Sequence, residues 1–426
     1  MKKLLAGFLL LAGSTFANAQ STPYHCGSAD YLNELDAQYP GLKEKVEKVT
    51  DHANYRTRGT TVTIPVVFHV VYNTTVQNLN VSYLNAQIDL LNKSYARENS
   101  DTTNMRAIFQ SRVGASKIRF ILDQVIRYQT TNISFDATTG SGFANSDIVK
   151  QTGSGGSDAI SPDKKMNVWI CNLTKDGSDG LIGYAYPPVG APNWPVGSEA
   201  PTMAFDGVVI DYIDVGGPLK QPLGYGSGFR GKGMVHEVGH YLGLRHIWGD
   251  DGGKCNGQPG FKDDGISDTP VTDDASNFDC NKVKNTCTEA SGDLADMVEN
   301  YMDYSSGACQ NSFTKMQLSA MEYVLDNIRS GVRVPLGVNA NEELIKKVNI
   351  FPNPASGLLQ IDIDNMEYQK VTASIVNLMG QTIWQTEQEN KGTPITANTL
   401  TFAKGIYLIN IRIDSNPVIT KKVIVQ

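Results

Sequence analysis

The chain has 426 residues, too many for one ordinary domain, so length favours two or three. A net charge of −7 with 19% charged and 40% hydrophobic residues describes an acidic globular protein. That balance gives no support to nucleic-acid binding, which needs a basic face, and it points to no particular partner.

Residues 1–19 carry Lys2-Lys3, an apolar run from Leu4 to Leu11 and small residues ending in Ala17-Asn18-Ala19. This order is that of a secretory signal peptide, with cleavage expected after Ala19. The apolar run is too short for a permanent anchor, and no later segment reaches the length of a membrane span. An exported, soluble, monomeric protein is expected. Residues 20–58 are polar with little core signal and end in Tyr55-Arg56-Thr57-Arg58-Gly59, a basic stretch open to tryptic or self-cleavage. They read as a propeptide. Cys26 within it could offer a thiolate to the open position of a catalytic metal. A disulfide, with Cys171 as partner, or a plain free thiol are the alternatives.

From Thr61 to Tyr72 a β-rich run predicts a central strand, and His69 within it reads as a sheet histidine rather than a ligand. Residues 82–95 place Leu84, Ile88, Leu91 and Tyr95 three and four apart, which predicts an amphipathic helix. Strands are predicted at Ile118–Tyr128, at Met166–Asn172 with Cys171 as a buried thiol, and at the edge over Leu181–Ala185.

Residues 236–246 read His-Glu-Val-Gly-His-Tyr-Leu-Gly-Leu-Arg-His and hold three of the six histidines. On a helix His236 and His240, four apart, share one face, and Glu237 sits beside them to reach a water. Gly243 falls where the helix must end, because a residue without Cβ can take the left-handed turn. That turn lets His246 return as a third nitrogen ligand. Three neutral imidazoles with one open position form a catalytic zinc site, since a structural zinc is closed by protein.

Cys255, Cys280, Cys287 and Cys309 follow in a segment rich in Asp, Asn and Gly. Such a segment has little apolar surface to bury, so cross-links are a plausible substitute in an exported protein. Four cysteines permit three pairings. Met302 lies in Asn300-Tyr301-Met302-Asp303-Tyr304, on its own an ordinary piece of core. From Thr314, residues Met316, Leu318, Met321 and Leu325 predict one more helix. Residues 331–347 show no clear element, and 331–344 are read as a linker. From 345 to 426, short alternating β-runs around Gly380 and Gly405-Ile406-Tyr407 predict a small all-β sandwich. It holds no Cys or His, so no metal chemistry is expected there, and a carbohydrate-binding module is the alternative.

With these residues in view, the catalytic part (59–330) resembles the pappalysin family of metzincin zinc proteases, its shorter bacterial members in particular. The likeness covers roughly 60–330. It rests on the long zinc motif with Gly249-Asp250 behind it, on Asp264-Gly265-Ile266-Ser267-Asp268-Thr269-Pro270, and on the Met302 turn. It implies an α/β metzincin domain with a twisted mixed sheet, an active-site helix and a loop-rich lower subdomain. It also implies Met302 as structural support, Cys255–Cys287 and Cys280–Cys309 as disulfides, and Cys26 as the plug of a latent zymogen. Calcium is implied at Asp264 and Thr269, with Asp268 nearby; oxygen-rich acidic loops suit that hard cation. The segment from 345 resembles the sorting domain of type IX secretion, through Phe351-Pro352-Asn353-Pro354 and Gly405-Ile406-Tyr407. Export by Sec and then by the type IX machinery is what this implies.

The function expected is hydrolysis of extracellular proteins or peptides, with Glu237 as general base and Tyr304 as an oxyanion donor. Family members that cut beside Arg or Lys carry an acidic residue before the cysteine matching Cys309. Here Gly307-Ala308 stands there, which puts that preference in doubt, while Arg56 and Arg58 at the expected maturation site point towards it. The rivals are a surface adhesin with a vestigial metal site, against which an intact Glu237 argues, and a zinc hydrolase acting on something other than peptide.

Overall fold

The computed structural model describes residues 25–38, 60–136, 147–217, 228–258, 264–335 and 340–426, less positions 176, 178–179, 192–193, 195–196, 229, 251–252, 365, 391–392, 415 and 417. The signal peptide and the Arg56-Thr57-Arg58 processing stretch lie outside the described residues.

Strand β1 (His25–Cys26) leads into helix α1 (Ser28–Gln38). Strand β2 (Val62–Tyr72) follows, buried along its length save at Tyr72, as expected of a central strand covered on both faces. Helix α2 (Val81–Ala96) begins at Asn80, whose side chain accepts from the Ser82 amide at 2.9 Å, and ends at Arg97 in the left-handed region. Its buried face is Leu84, Ile88, Leu91 and Tyr95, the stripe legible in the sequence. Next come β3 (Ile118–Gln129), β4 (Met166–Cys171), β5 (Leu181–Ala185) and β6 (Val208–Asp211).

These strands form one mixed sheet in the order β1-β5-β6-β4-β2-β3, and a short β7 (Val334–Pro335) adds to β2. β2 runs parallel to β3 and β4, β4 parallel to β6, and β5 antiparallel to β6. One sheet face packs on α2 and on helix α3 (Lys232–Tyr241) through Leu84, Ile88, Met234, Val235 and Val238. That layer fixes where α3 lies, and so where the site lies. Helix α4 (Lys315–Asn327) carries a complete capping box between Thr314 and Gln317. The edge position predicted for Leu181–Ala185 is covered in this structure, because β1 pairs with it in parallel.

The loop-rich segment between α3 and α4 is crossed by Cys255–Cys287 and Cys280–Cys309. Cys26 and Cys171 are free and buried, so the alternative bridge between them is not made. Residues 331–347 do contain regular structure, contrary to the sequence reading: β7 and a helix α5 (Ala340–Lys347), with Leu344 buried in the C-terminal core. The eight-residue helix is too short to show a convincing period, and the core that holds it is built by distant strands. Strands β8 (Val348–Phe351), β9 (Leu358–Ile363), β10 (Lys370–Asn377), β11 (Thr382–Glu389), β12 (Ile395–Asn398), β13 (Gly405–Ile413) and β14 (Ile419–Val425) follow. They make antiparallel sheets ordered β8-β9-β12 and β11-β10-β13-β14, closed over Val371, Ala373, Ile375, Ile409 and Ile411 as a β-sandwich. No helix among the described residues is long and apolar enough to cross a membrane.

His69 sits in β2 as a sheet residue. Asn167 Oδ1 also accepts from the Ile160 amide at 2.8 Å, which fixes it as an acceptor, so His69 Nε2–H donates to it at 2.9 Å. Nδ1 then accepts from the Ser157 hydroxyl at 2.8 Å. Burial holds the imidazole down to about 4, against an ordinary value of 6.5, while the Asn167 hydrogen bond pulls the other way. Folding stability from this group is therefore complete above about pH 6.5 and is lost as pH falls towards 4, roughly 3 kcal/mol in all. A His69→Gln variant is expected to flatten the decline of unfolding free energy between pH 6.5 and 4.5. Denaturant titrations parallel to wild type across that range would refute this.

Candidate active site

Gly231 opens α3 at φ 83°, and the helix presents His236 and His240 on one face. It stops at Leu242, and Gly243 at φ 91° turns the chain, with its amide donating to the His240 carbonyl at 2.8 Å. A Cβ at Gly243 would lie 2.9 Å from Val324 Cγ2, so space as well as backbone conformation calls for glycine. The turn returns His246 to the metal side. The three Nε2 atoms come within 3.2, 3.1 and 3.0 Å of one another.

Every Nδ1 is committed elsewhere. His236 meets the Tyr301 carbonyl at 2.7 Å, His240 the Leu244 carbonyl at 2.8 Å and His246 the Asp250 carboxylate at 2.8 Å. Those oxygens can only accept, so each neutral ring carries its proton on Nδ1 and turns a bare Nε2 inward. Burial, then the neighbouring His246, lowers His236 to about 3, and the same causes lower His240. Nitrogens arranged tetrahedrally at about 2.0–2.1 Å from zinc would stand about 3.3 Å apart, close to the observed spacing. Trp248 stacks on His246 at 4.4 Å, and Trp194 meets the His240 ring edge-on at 5.8 Å.

Beneath the histidines lies the Met302 turn. Its amide donates to Asn300 Oδ1 at 2.9 Å, and Asn300 Nδ2 donates to Gln317 of the α4 capping box at 2.9 Å. A Cβ at Gly239 would stand 2.5 Å from Met302 Sδ, so this glycine lets the turn press against the helix. On the other side Gly183 of β5 performs the same service for Glu237, whose Cγ would be 2.9 Å from a Cβ there. Burial pushes the Glu237 carboxyl up to about 8, and the thiol of Cys26 pulls it back.

That thiol donates to Glu237 Oε2 at 3.4 Å. Cys26 Sγ and the three histidine nitrogens all lie within 4.8 Å of one another, the one such cluster of metal-binding groups among the described residues. Burial, then Glu237, pushes the Cys26 thiol well up, whereas a dication acts in the opposite direction. The Gly27 amide bonds the Gly183 carbonyl at 2.8 Å, and Tyr304 Oη donates to the Cys26 carbonyl at 2.8 Å.

The residues expected at calcium make hydrogen bonds within their loop and to the start of α4. Asp264 accepts from the Ile266 amide at 2.8 Å and from Thr269 Oγ1 at 3.0 Å, while Asp268 accepts from the Met316 amide at 3.1 Å. Sequence reasoning assigned no role to Gly183, Gly239, Asn300 or Trp194, and named Asp250 only as part of a motif. Asp250 stands four residues after His246, a spacing visible in the sequence, and meets its ring from a left-handed φ of 55°.

Comparisons with known proteins agree with this geometry. The family described as pregnancy-associated plasma protein-A matches residues 155–326, and the secretion system C-terminal sorting domain matches 349–426. An extracellular metalloprotease of Colletotrichum graminicola is 30% identical over 328 residues, covering 75% of this chain and 95% of its own. One from Arthroderma benhamiae is 28% identical over 290 residues, 68% and 81% of the two chains. Mature mirolysin of Tannerella forsythia, solved with a cleaved peptide, is 33% identical with a TM-score of 0.55 and covers 67% of this chain and 98% of that one. A promirolysin mutant from the same organism is 30% identical with a TM-score of 0.57, at 73% and 96% coverage. Matched at this identity along nearly the full length of such relatives, the chain belongs to the pappalysin family: it is a secreted metalloprotease bearing a type IX sorting domain.

Proposed function

We propose that the protein is a zinc endopeptidase made as a latent precursor. The observation that carries this is the convergence of three bare Nε2 atoms, 3.0–3.2 Å apart, beside the buried Glu237 carboxyl. His236, His240 and His246 would hold the ion. When bound, zinc polarises the scissile carbonyl and lowers the pKa of a water towards about 7. Glu237 takes the proton of the attacking water and delivers it to the leaving amine. Tyr304 donates to the carbonyl oxygen of the bond being cut, a role supported by the 2.8 Å bond it gives the Cys26 carbonyl. Met302 supports the ligands from below.

In the precursor, residues 20–58 act as the propeptide after loss of 1–19, and Cys26 Sγ stands where that water would act. The catalytic domain spans 59–330 and the sorting domain 345–426, with helix α5 packed onto the latter through Leu344. Calcium belongs to the proposal through Asp264, Asp268 and Thr269, whose oxygen donors suit it.

Metal removal tests the reading. A zinc chelator is expected to abolish peptide hydrolysis by the processed enzyme, and stoichiometric zinc to restore it. A calcium-selective chelator is expected to lower the melting temperature of the zinc-loaded protein by several degrees. Full hydrolysis by protein shown to be zinc-free would refute the catalytic metal, and an unchanged melting temperature would refute calcium.

A further inference from the structure

Besides Cys26 of β1, helix α1 supplies a second contact beside the histidine cluster. Leu32 is fully buried against Ala191 and Trp194, and these three form a small core of their own, apart from the main one. The adjacent Tyr31 meets Tyr186 edge-on at 4.9 Å. The indole of Trp194 is fixed by the enzyme and not by its guest: Nε1–H donates to the Gly243 carbonyl at 3.0 Å, and the ring meets His240 at 5.8 Å. Arg245 adds its guanidinium 5.9 Å from the indole centre. The turn that returns His246 to the metal therefore also holds this wall.

We infer that Ala191 and Trp194 form, in the processed enzyme, a subsite for an aliphatic substrate side chain about three residues from the scissile bond. The inference rests on the proposed protease reading. Once the propeptide leaves, the seat of Leu32 opens beside the ligand His240 as an apolar hollow, with a small residue on one side and a rigid aromatic face on the other. One imidazole separates the indole from the metal, so the gap is 5.8 Å to the ring centre and about 3 Å beyond it. An extended peptide covers that in about three residues at roughly 3.3 Å each. The occupant already seen there is leucine. A cationic side chain would lose its hydration in that apolar hollow, which disfavours it there.

The test uses the full-length precursor, allowed to process itself and then given a random peptide library. Enrichment of Leu, Ile or Met at one position about three residues from the cut, with Arg and Lys depleted, is expected. In a single fluorogenic peptide, changing that residue from Leu to Ala is expected to lower kcat/KM about tenfold or more. In Trp194→Ala the Leu-to-Ala ratio is expected to fall towards unity, whatever the absolute rate. Ala191→Trp, which fills the hollow instead of emptying it, is expected to collapse the same ratio and so covers a folding failure of the first variant. An actively cutting wild type with no preference at that position would overturn the subsite. A processed wild type that cuts no peptide would sink the protease reading beneath it.

Discussion

A Glu237→Gln precursor is expected to keep its metal and its melting temperature yet lose at least about a thousandfold in kcat, and to remain uncut at its own processing site. The argument is geometric. Gly183 and the main chain of β5 press Glu237 into a fully buried position beside the three histidines, and the metal-binding cluster itself contains no carboxylate that could take its place. Glutamine keeps the volume and cannot accept a proton. Tyr304→Phe is expected to cost less, about a hundredfold, because it removes one donor to the developing charge and leaves the proton carrier intact. Metal content by mass spectrometry, alongside single-turnover peptide cleavage, checks both. A metal-loaded Glu237→Gln enzyme within tenfold of wild type would sink the proposed mechanism.

Cys26→Ala is expected to release the second large effect, a precursor that processes itself at least about tenfold faster. On the proposed reading the thiol is what the propeptide adds to the cluster of three histidines, and its loss opens the position beside Glu237. What remains includes the short pairing of β1 with β5, the Tyr304 bond to the Cys26 carbonyl, the seat of Leu32, the Tyr31 contact with Tyr186 and the Lys175–Asp30 ion pair. Such contacts hold the segment without a metal-directed thiol, so the variant should be leaky without losing its fold. Conversion followed by gel from freshly purified precursor reads the rate, with Glu237→Gln,Cys26→Ala as the uncut control. Equal half-lives for Cys26→Ala and wild type would remove Cys26 from latency.

The convergence of His236, His240 and His246 was legible because it is local: a helix, a glycine turn and a return lie within eleven residues, and their periodicity is written in the sequence. The same holds for α2, whose stripe of Leu84, Ile88, Leu91 and Tyr95 repeats with the helical period. What surrounds the ligands was not legible, because it comes from distant segments. Gly239 matters only once Met302 is folded beneath it, and Gly183 only once β5 passes over Glu237. Helix α5 escaped for the same reason, since Leu344 finds its core among strands that follow it. Trp194 shows no period in the sequence, and it is its bond to Gly243 and its ring contact with His240 that join it to the site.

The parallel addition of β1 to β5 has a consequence for what the released enzyme can grip. Taking β1 away bares the main chain of Leu181–Ala185, five residues or about 16 Å of unpaired edge. Hydrogen bonds to such an edge are blind to side chains, and a partner must be extended over the same length to make them. On the proposed reading, compact folded proteins would offer few places to bite. Unravelled loops, termini and already nicked chains would be the natural diet, and choice among them would fall to the pockets that flank the edge.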